Sequence, residues 1–297
     1  MILVTGGAGF VGSSLALRLR RHFPEQKIMA LDNLKRRGSE LNLPRLREAG
    51  VDFIHGDIRQ PRDLDLDNPD WIIECSAEPS ALAGLDGGTD YLVHTNLLGT
   101  YHCLELARRT GAGMIFLSTS RVYPVKTIRE LRYRTSDSRF ELEEIQEIQG
   151  VSSQGITEDF PLDGARTLYG ATKLASELLI AEYVENFGLT MIINRCGVLT
   201  GPWQMGKVDQ GMVVLWMARH LFGGELSYIG YQGSGLQVRD MLHIEDLGDL
   251  ICLQLSDPDP FQGGTFNVGG GPGISASLIE ITELCREITG NSIPILQ

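Results

Sequence analysis

The fold is constrained most by a regular alternation of two kinds of segment along residues 1–200. Short apolar runs that are typical of buried strands alternate with amphipathic stretches that are typical of helices. The apolar runs are MILVTG, KIMALD, VDFIHGD, WIIECSA, GMIFLSTS and TMIINRCG, and the helical stretches include GSSLALRLRRHF, LLGTYHCLELARRT and ATKLASELLIAEYVENF. Such an alternation predicts an α/β fold with a doubly wound parallel sheet, covered by helices on both faces.

The segment VTGGAGFVG connects the first predicted strand to the first predicted helix and contains Gly6, Gly9 and Gly12. Glycines at this spacing allow a tight turn, a close approach of the backbone to a pyrophosphate, and close packing of the helix on the strand. The free N–H groups of the helix N-terminus then face the phosphates. An ordinary tight turn is the alternative. The flanking strand and helix, with Asp32 at the end of the second strand, favour a Rossmann-type dinucleotide site.

Asp32 also bears on which dinucleotide binds. An acid at this position accepts hydrogen bonds from the adenosine ribose and disfavours a 2′-phosphate, so the sequence predicts NAD rather than NADP. The basic run at 35–37 follows closely and weakens this preference for NAD over NADP. Asp57, at the end of the next strand, is either a partner of the adenine amine or an ordinary strand-end residue.

From about residue 201 the alternation loosens into glycine-rich loops, short strands and separate helices. We therefore predict an NAD-binding domain over 1–200, to which 236–256 returns. Residues 201–235 and 257–297 are predicted to form a smaller mixed α/β substrate lobe, with Ser275 or Ser277 capping its last helix. The long connection at 125–165 is interpreted equally well as a functional loop or as a surface excursion.

The net charge of −12 over 297 residues argues against nucleic acid or an acidic membrane as a partner, since either would favour a basic face. The five cysteines are scattered and form no spacing typical of a metal site or a redox pair. From the sequence we expect neither a signal peptide nor a membrane-spanning segment. We expect a reduced, cytoplasmic protein without a metal.

Tyr169 and Lys173 lie four residues apart in LYGATKLASE, so both side chains share one face of the predicted helix. A nearby positive charge lowers the pKa of a phenol and makes it usable as a base. The alternative is two residues on a solvated helix face. The strand GMIFLSTS ends in Ser118 and Thr119, hydroxyls at a carboxyl end where such folds bind ligands. Together these residues favour a catalytic site.

At this point the chain resembles the extended short-chain dehydrogenases/reductases, in the nucleotide-sugar epimerase/dehydratase branch. The resemblance rests on motifs spread over nearly the whole chain, namely TGGAGFVG, DN, GDI, NLLGT, STSRVY, YGATK and VRDMLHIEDL. It implies that Tyr169 is the base, that Lys173 binds the nicotinamide ribose and lowers the pKa of the tyrosine, and that Thr119 orients the substrate. Asn96 would be a structural helper beneath the site.

The glycine motif and the resemblance together give a set of residues expected at the NAD cofactor. Cys196, which follows Arg195 in the apolar run TMIINRCG, is expected to pack near the nicotinamide rather than to act as a nucleophile. The complete set is Gly6, Gly9, Phe10, Val11, Gly12, Asp32, Asn33, Asp57, Ile58, Ala77, Asn96, Ser118, Tyr169, Lys173 and Cys196.

The residues after Thr119 bear on the reaction. Nucleotide-sugar 4,6-dehydratases carry an Asp-Glu pair there, and UDP-glucuronate decarboxylases carry a glutamate at the second position. This chain has Ser120 and Arg121. The machinery for elimination and decarboxylation is therefore expected to be absent, which leaves the hydride removal and return of an epimerase. Segments KVDQGMVVLWMARH and YQGSGLQVRDMLHIEDL are most similar to the CDP-paratose 2-epimerase (CDP-tyvelose epimerase) branch.

That resemblance implies a nucleotide-diphosphate sugar as substrate, inverted at C-2 through a 2-keto sugar. C-4 epimerisation of a UDP- or CDP-sugar, a nucleotide-sugar reductase and a non-catalytic NAD-binding protein are the alternatives. Pairing through the helices at 97–110 and 171–187 would give a homodimer or homotetramer. Arg239 is expected to grip the diphosphate, or else to pair with a neighbouring acid. The expected substrate residues are Thr119, Arg121, Asp209, Gln210 and Arg239.

Overall fold

The computed structural model describes residues 1–85, 87–207 and 210–296. Its helices are α1 (Phe10–His22), α2 (Leu43–Glu48), α3 (Asp90–Val93), α4 (Gly99–Thr110), α5 (Val125–Arg129), α6 (Leu168–Phe187), α7 (Met212–Phe222), α8 (Ile244–Ser256) and α9 (Leu278–Thr289). Its longer strands and their shorter companions are β1 (Ile2–Thr5), β2 (Ile28–Asp32), β3 (Asp52–His55), β4 (Trp71–Glu74), β5 (Gly113–Thr119), β6 (Tyr133–Thr135), β7 (Phe140–Leu142), β8 (Val151–Ser152), β9 (Gly155–Ile156), β10 (Met191–Cys196), β11 (Val198–Thr200), β12 (Leu226–Ser227), β13 (Val238–Arg239), β14 (Met241–His243), β15 (Thr265–Val268), β16 (Ala276–Ser277) and β17 (Ile295–Leu296).

The chain divides into two compact units. The first consists of Met1–Val122, Arg166–Cys196 and Ile244–Phe266, and the second of Tyr123–Ala165, Gly197–His243 and Asn267–Gln297. The large sheet has the strand order β15-β10-β5-β4-β1-β2-β3. Neighbours from β10 to β3 run parallel, which confirms the predicted doubly wound sheet.

Helices cover this sheet in pairs, with α1 packed against α8 and α4 packed against α6. Leu15 on α1 and Leu247 on α8 are fully buried, as are Leu104 on α4 and Phe116 in β5. The continuous apolar strands therefore meet an apolar helix stripe on each side. Strand order reverses between β1 and β4, and doubly wound folds bind ligands outside the carboxyl ends of the strands at such a point.

The second unit has its own small core, in which α7 and α9 pack together around Trp216 and Ile281. Helix α9 begins with a capping box between Ser277 and Glu280, so Ser277 is the cap of the two serines considered. The connection at 123–165, assigned from the sequence to the first domain, groups with this unit. The reason is bonding to a distant part of the chain in the same unit, since the Phe140 N–H donates to the Leu236 carbonyl at 3.0 Å.

The described helices include none that combines the length and the apolar character needed to cross a bilayer.

Candidate active site

The glycine loop after β1 forms a cradle in which side chains have no room. Gly6 has a φ of 62°, and a Cβ on Gly12 would lie 2.2 Å from the Gly6 carbonyl oxygen. The Gly9 N–H donates to that same carbonyl at 3.0 Å, and Gly9 occupies the N-cap position of α1 without a side chain to cap it. Phe10 and Val11 form the first turn of α1. The loop therefore presents bare backbone at a helix N-terminus, as a pyrophosphate site requires.

The two predicted acids, Asp32 and Asp57, follow neighbouring strands: Asp32 is the last residue of β2, and Asp57 lies two residues after β3. Asp32 accepts hydrogen bonds from the backbone N–H groups of Ala8, at 3.1 Å, and Leu34, at 2.8 Å. Burial raises the pKa of Asp32. The amide of Asn33, the residue after Asp32, donates to Asp57 at 3.0 Å.

Asp57 is also held by Arg59, a residue that the sequence analysis missed. The Arg59 Nε lies 3.0 Å from each carboxylate oxygen of Asp57. Burial acts to raise the pKa of Asp57, but the hydrogen bonds from Arg59 and Asn33 lower it to about 2. The guanidinium of Arg59 and the ammonium of Lys35 both lie over the Tyr91 ring, at 4.8 and 3.9 Å from its centroid. Ile58, between Asp57 and Arg59, is buried.

Ser118 and Thr119 at the end of β5 point in opposite directions, because successive strand residues alternate between faces. The Ser118 hydroxyl donates to Glu177 on α6, within a buried ion pair between Glu177 and Arg195. Its side chain is therefore engaged in that network, which differs from the crevice-facing hydroxyl predicted from the sequence. The alternation of side chains along β5 is the feature of the sequence that could have predicted the different directions of the two hydroxyls.

Helix α6 brings Tyr169 to Thr119. The helix is capped by Thr167, whose side chain accepts from the Gly170 N–H at 3.1 Å. Gly170 packs so closely on the preceding loop that a Cβ would lie 2.1 Å from the Arg121 carbonyl oxygen. The backbone N–H of Arg121 in turn donates to the Thr119 hydroxyl at 3.2 Å. Loop and helix are thus locked together around the tyrosine.

The pKa of Tyr169 is raised to about 12. Burial is the largest cause, and a hydrogen bond with Thr119 acts against it. The lowered pKa expected from Lys173 is not seen in this arrangement. The Lys173 ammonium instead lies 3.7 Å from a carboxylate oxygen of Glu74 and 3.8 Å from the centre of the Phe116 ring. Glu74 was missed from the sequence because it lies far from Lys173 along the chain.

Asn96 fastens the loop after β4 to α6. Its side chain accepts from the Glu78 N–H at 2.8 Å and donates to the Glu78 carbonyl at 3.0 Å, and it also donates to the Thr172 hydroxyl at 3.3 Å. Ala77 lies in the loop that these bonds fix. Asn96 is fully buried, so its contacts agree with a structural role.

With this geometry in view, the comparisons with known proteins identify the family. The family model described as "NAD dependent epimerase/dehydratase family" matches residues 2–269. The chain belongs to this family. It is therefore an enzyme of a family that acts on nucleotide sugars with NAD as cofactor, as the sequence predicted.

Relatives in this family carry out different reactions. CDP-paratose 2-epimerase of Salmonella typhi is 29% identical, over 96% of this chain and 83% of the relative. A dTDP-glucose 4,6-dehydratase from Streptomyces venezuelae, solved with NAD bound, has a TM-score of 0.78 at 27% identity and covers 100% of this chain and 84% of its own. UDP-glucose 4-epimerase of Thermus thermophilus, solved with NAD, has a TM-score of 0.76 at 25% identity, with 99% and 85% covered.

The residues of this family member fit NAD. Bare backbone surrounds the place for a pyrophosphate, and the Asp32 carboxylate stands at the end of β2 where a ribose would be bound. Cys196 ends β10 in register with Thr119 and is buried. Burial raises the pKa of its thiol to about 12, which agrees with a packing role and not with a nucleophile.

The remaining predicted substrate residues lie in the second unit or outside the described chain. Gln210 forms a backbone bridge with Lys207, with N–H to carbonyl distances of 2.7 and 3.1 Å. Arg239 lies in β13 and donates to the Val238 carbonyl at 3.0 Å. Asp209 lies outside the described residues.

Proposed function

We propose that this family member is an NAD-dependent epimerase of a nucleotide-activated sugar. The specific candidate is C-2 epimerisation of a CDP-sugar, CDP-paratose to CDP-tyvelose. C-4 epimerisation of a UDP- or CDP-sugar is the second candidate, because the same catalytic residues serve it and the 4-epimerase fold is closely similar.

One observation carries this proposal: Tyr169 lies close enough to Thr119, at the end of β5, for the threonine hydroxyl to act on the pKa of the phenol, and the residues that follow Thr119 are Ser120 and Arg121. The Thr119 hydroxyl and the phenolate form of Tyr169 suffice to orient a sugar hydroxyl and to remove its proton. Elimination of water also needs an acid–base pair near the sugar, which the dehydratase pattern supplies with carboxylates after Thr119. An arginine there favours simple oxidation and reduction at one carbon. The relationship to CDP-paratose 2-epimerase supports the choice of C-2.

The proposed mechanism follows from these side chains. Thr119 holds the sugar hydroxyl, and Tyr169 in its phenolate form accepts the hydroxyl proton while the carbon loses hydride, which leaves a keto sugar and a neutral phenol. When bound, NAD supplies the acceptor of that hydride and its source on return. The keto sugar turns, and Tyr169 gives its proton back after hydride arrives on the other face. There is no net redox change, so the cofactor is expected to stay bound.

Several chain residues would hold NAD. The backbone of Gly6, Gly9 and Gly12 would face the pyrophosphate, Asp32 the adenosine ribose, and Lys173 the nicotinamide ribose. Asn33, Asp57 and Ile58 would border the adenine, and Ala77 and Cys196 the opposite end of the cofactor. The Arg59–Asp57 pair keeps Asp57 ionised and so able to accept from an amine.

Nucleotide-sugar binding is assigned to Arg121, Asp209, Gln210 and Arg239. A guanidinium grips phosphate oxygens in bidentate fashion, which supports Arg239 as the diphosphate ligand.

We also propose a cytoplasmic homodimer or homotetramer formed through α4 and α6. Large apolar side chains are exposed on both helices, including Tyr101, Leu178 and Phe187, and such surfaces favour association. Size-exclusion chromatography with light scattering tests this, and a monomer at micromolar concentration would remove it.

The function is tested by incubating the purified protein with CDP-paratose, UDP-glucose or CDP-glucose and no added cofactor, and following each sugar by proton NMR. Inversion at C-2 of the CDP-sugar is expected. Inversion only at C-4 would replace the first candidate by the second. In a separate incubation with added NAD(P)H, net oxidation of that cofactor would identify a reductase. Unchanged sugars in both incubations would remove support for epimerisation of these substrates.

A further inference from the structure

Glu74 is a buried acid that the proposed mechanism does not use. It ends β4 at the centre of the sheet, in register with Thr5 of β1 and Phe116 of β5. The Thr100 hydroxyl donates to its Oε2 at 3.5 Å, and the backbone N–H of Ser76 also acts on the carboxylate, while no described residue meets full hydrogen-bond geometry at Oε1. A buried carboxylate with an unmet hydrogen bond destabilises a fold. Packing alone therefore does not account for Glu74.

Glu74 forms an ion pair with Lys173. Only 1% of the lysine side chain and none of the Glu74 side chain is exposed, and Nζ lies 3.7 Å from Oε2. The ammonium also contacts the face of the Phe116 ring at 3.8 Å, a weaker attraction for a cation than a carboxylate. A lysine enclosed in this way loses its proton readily unless a negative charge accompanies it.

We propose that Glu74 is a positioning residue for the reaction: its carboxylate keeps Lys173 charged and holds the ammonium one helical turn from Tyr169. Burial raises the pKa of Glu74, and the charge of Lys173 is the main influence that opposes this. The charge of Glu74 also acts on Tyr169. The other titratable or charged groups that influence these three are Cys75, Cys103, Arg121 and Cys196.

This inference rests on the proposed function only for the role of Tyr169. The interaction of Glu74 with Lys173 is tested without any sugar. Protein labelled with ¹³C at lysine Cε is titrated by NMR, and the Lys173 signal is assigned by its loss in Lys173→Met. In Glu74→Gln, which keeps the shape and removes the charge, the titration midpoint of Lys173 is expected to fall relative to the unaltered protein. An unchanged midpoint would overturn the proposal.

Glu177→Gln is the matched control, because Glu177 is also buried but pairs with Arg195. It is expected to leave the Lys173 midpoint in place, and an equal shift in this variant would show general loosening and overturn the proposal. Should Glu74→Gln fail to fold, Glu74→Asp retains the charge and is expected to preserve the midpoint, while Glu74→Met, with neither charge nor polar oxygen, is expected to lower it.

Turnover gives the second readout. If the sugar reaction is established, Glu74→Gln is expected to lose activity as pH rises through the new Lys173 midpoint, and Glu74→Asp to restore the original profile. If no sugar turns over, the proposed function fails while the NMR titration still decides the role of Glu74.

Discussion

Two buried carboxylates lie along one stripe of helix α6, and their bonding differs. Glu177 belongs to the helix, whereas Glu74 ends β4 and lies beside Lys173 of the helix. Glu177 pairs with Arg195 at 2.7 Å and also accepts from Ser118, so its oxygens are well satisfied. Glu74 lies 3.7 Å from Lys173 and has an oxygen at which no described residue meets full hydrogen-bond geometry. Tyr169, Lys173 and Glu177 follow one another at four-residue intervals. The stripe therefore begins with the two residues proposed for the reaction and ends with a residue in a structural ion pair.

The difference follows from the two cations. An arginine offers a rigid fork of donors that matches a carboxylate and keeps its charge, whereas lysine is a single flexible donor group whose protonation responds to its surroundings. A tight, fully bonded pair fixes α6 to β10. The pair at the carboxyl end of β4 is longer, and it binds Lys173 less completely than Glu177 binds Arg195.

The largest expected effect comes at the first position of the stripe. Tyr169→Phe should lower the rate of epimerisation by about 10²- to 10⁴-fold, because the general base is lost. Bound NAD and the free energy of unfolding should change little. Tyr183→Phe is the control, since this tyrosine lies on the same helix and bonds to Glu105 instead. Turnover by NMR is the measurement, and full activity in Tyr169→Phe would refute the assignment of the base.

The comparison itself is tested by stability. Glu177→Gln should cost about 3–5 kcal/mol of unfolding free energy, because it leaves Arg195 buried with a charge that cannot be lost. Glu74→Gln should cost less at neutral pH and less still as pH rises, because Lys173 can give up its proton. Urea denaturation of both variants at several pH values measures this. Equal costs at every pH would mean that the two pairs are equivalent.

A smaller effect is expected at Asp57, whose pair with Arg59 is less enclosed. The folded pKa of about 2 lies below the ordinary 3.8, so the stability it contributes is present above about pH 4 and is lost as pH falls towards 2. Allowing for solvent screening, Asp57→Asn should cost about 1 kcal/mol at pH 7. Thermal unfolding of both proteins between pH 2 and 7 should show the gap closing in acid, and a gap independent of pH would contradict this account.

The smallest effect is expected at Cys196, which follows Arg195 in β10. Because burial raises the pKa of its thiol to about 12, Cys196→Ala should change turnover by less than about threefold. Iodoacetamide should likewise react slowly with Cys196 in the folded protein. Loss of activity by orders of magnitude, with normal NAD content, would show that the thiol takes part in the reaction.

Sequence reasoning succeeded where the signal was local. Strand and helix periodicity predicted the parallel sheet, the glycine spacing predicted a turn in which a Cβ on Gly12 has no room, and the four-residue interval placed Tyr169 and Lys173 on one helix. The contacts that matter most between distant positions were not predictable in this way. Glu74 meets Lys173 only because β4 and α6 are brought together by the sheet, and no local pattern marks that meeting.

Two further differences have physical causes that can be stated. Ser118 faces α6 because successive strand residues alternate between the two faces of the sheet, so Ser118 and Thr119 cannot both face the crevice. The connection at 123–165 groups with the second unit through contacts such as Arg139 with Ser275, at 2.9 Å, which join segments far apart in the chain.

The most direct test of the central claim, hydride removal and return at one carbon, is to run the sugar reaction in D₂O and examine the inverted carbon by NMR and mass spectrometry. The account predicts inversion without deuterium at that carbon, because the hydrogen that leaves as hydride is the one that returns. Deuterium at the inverted carbon would contradict it and indicate exchange with solvent through deprotonation.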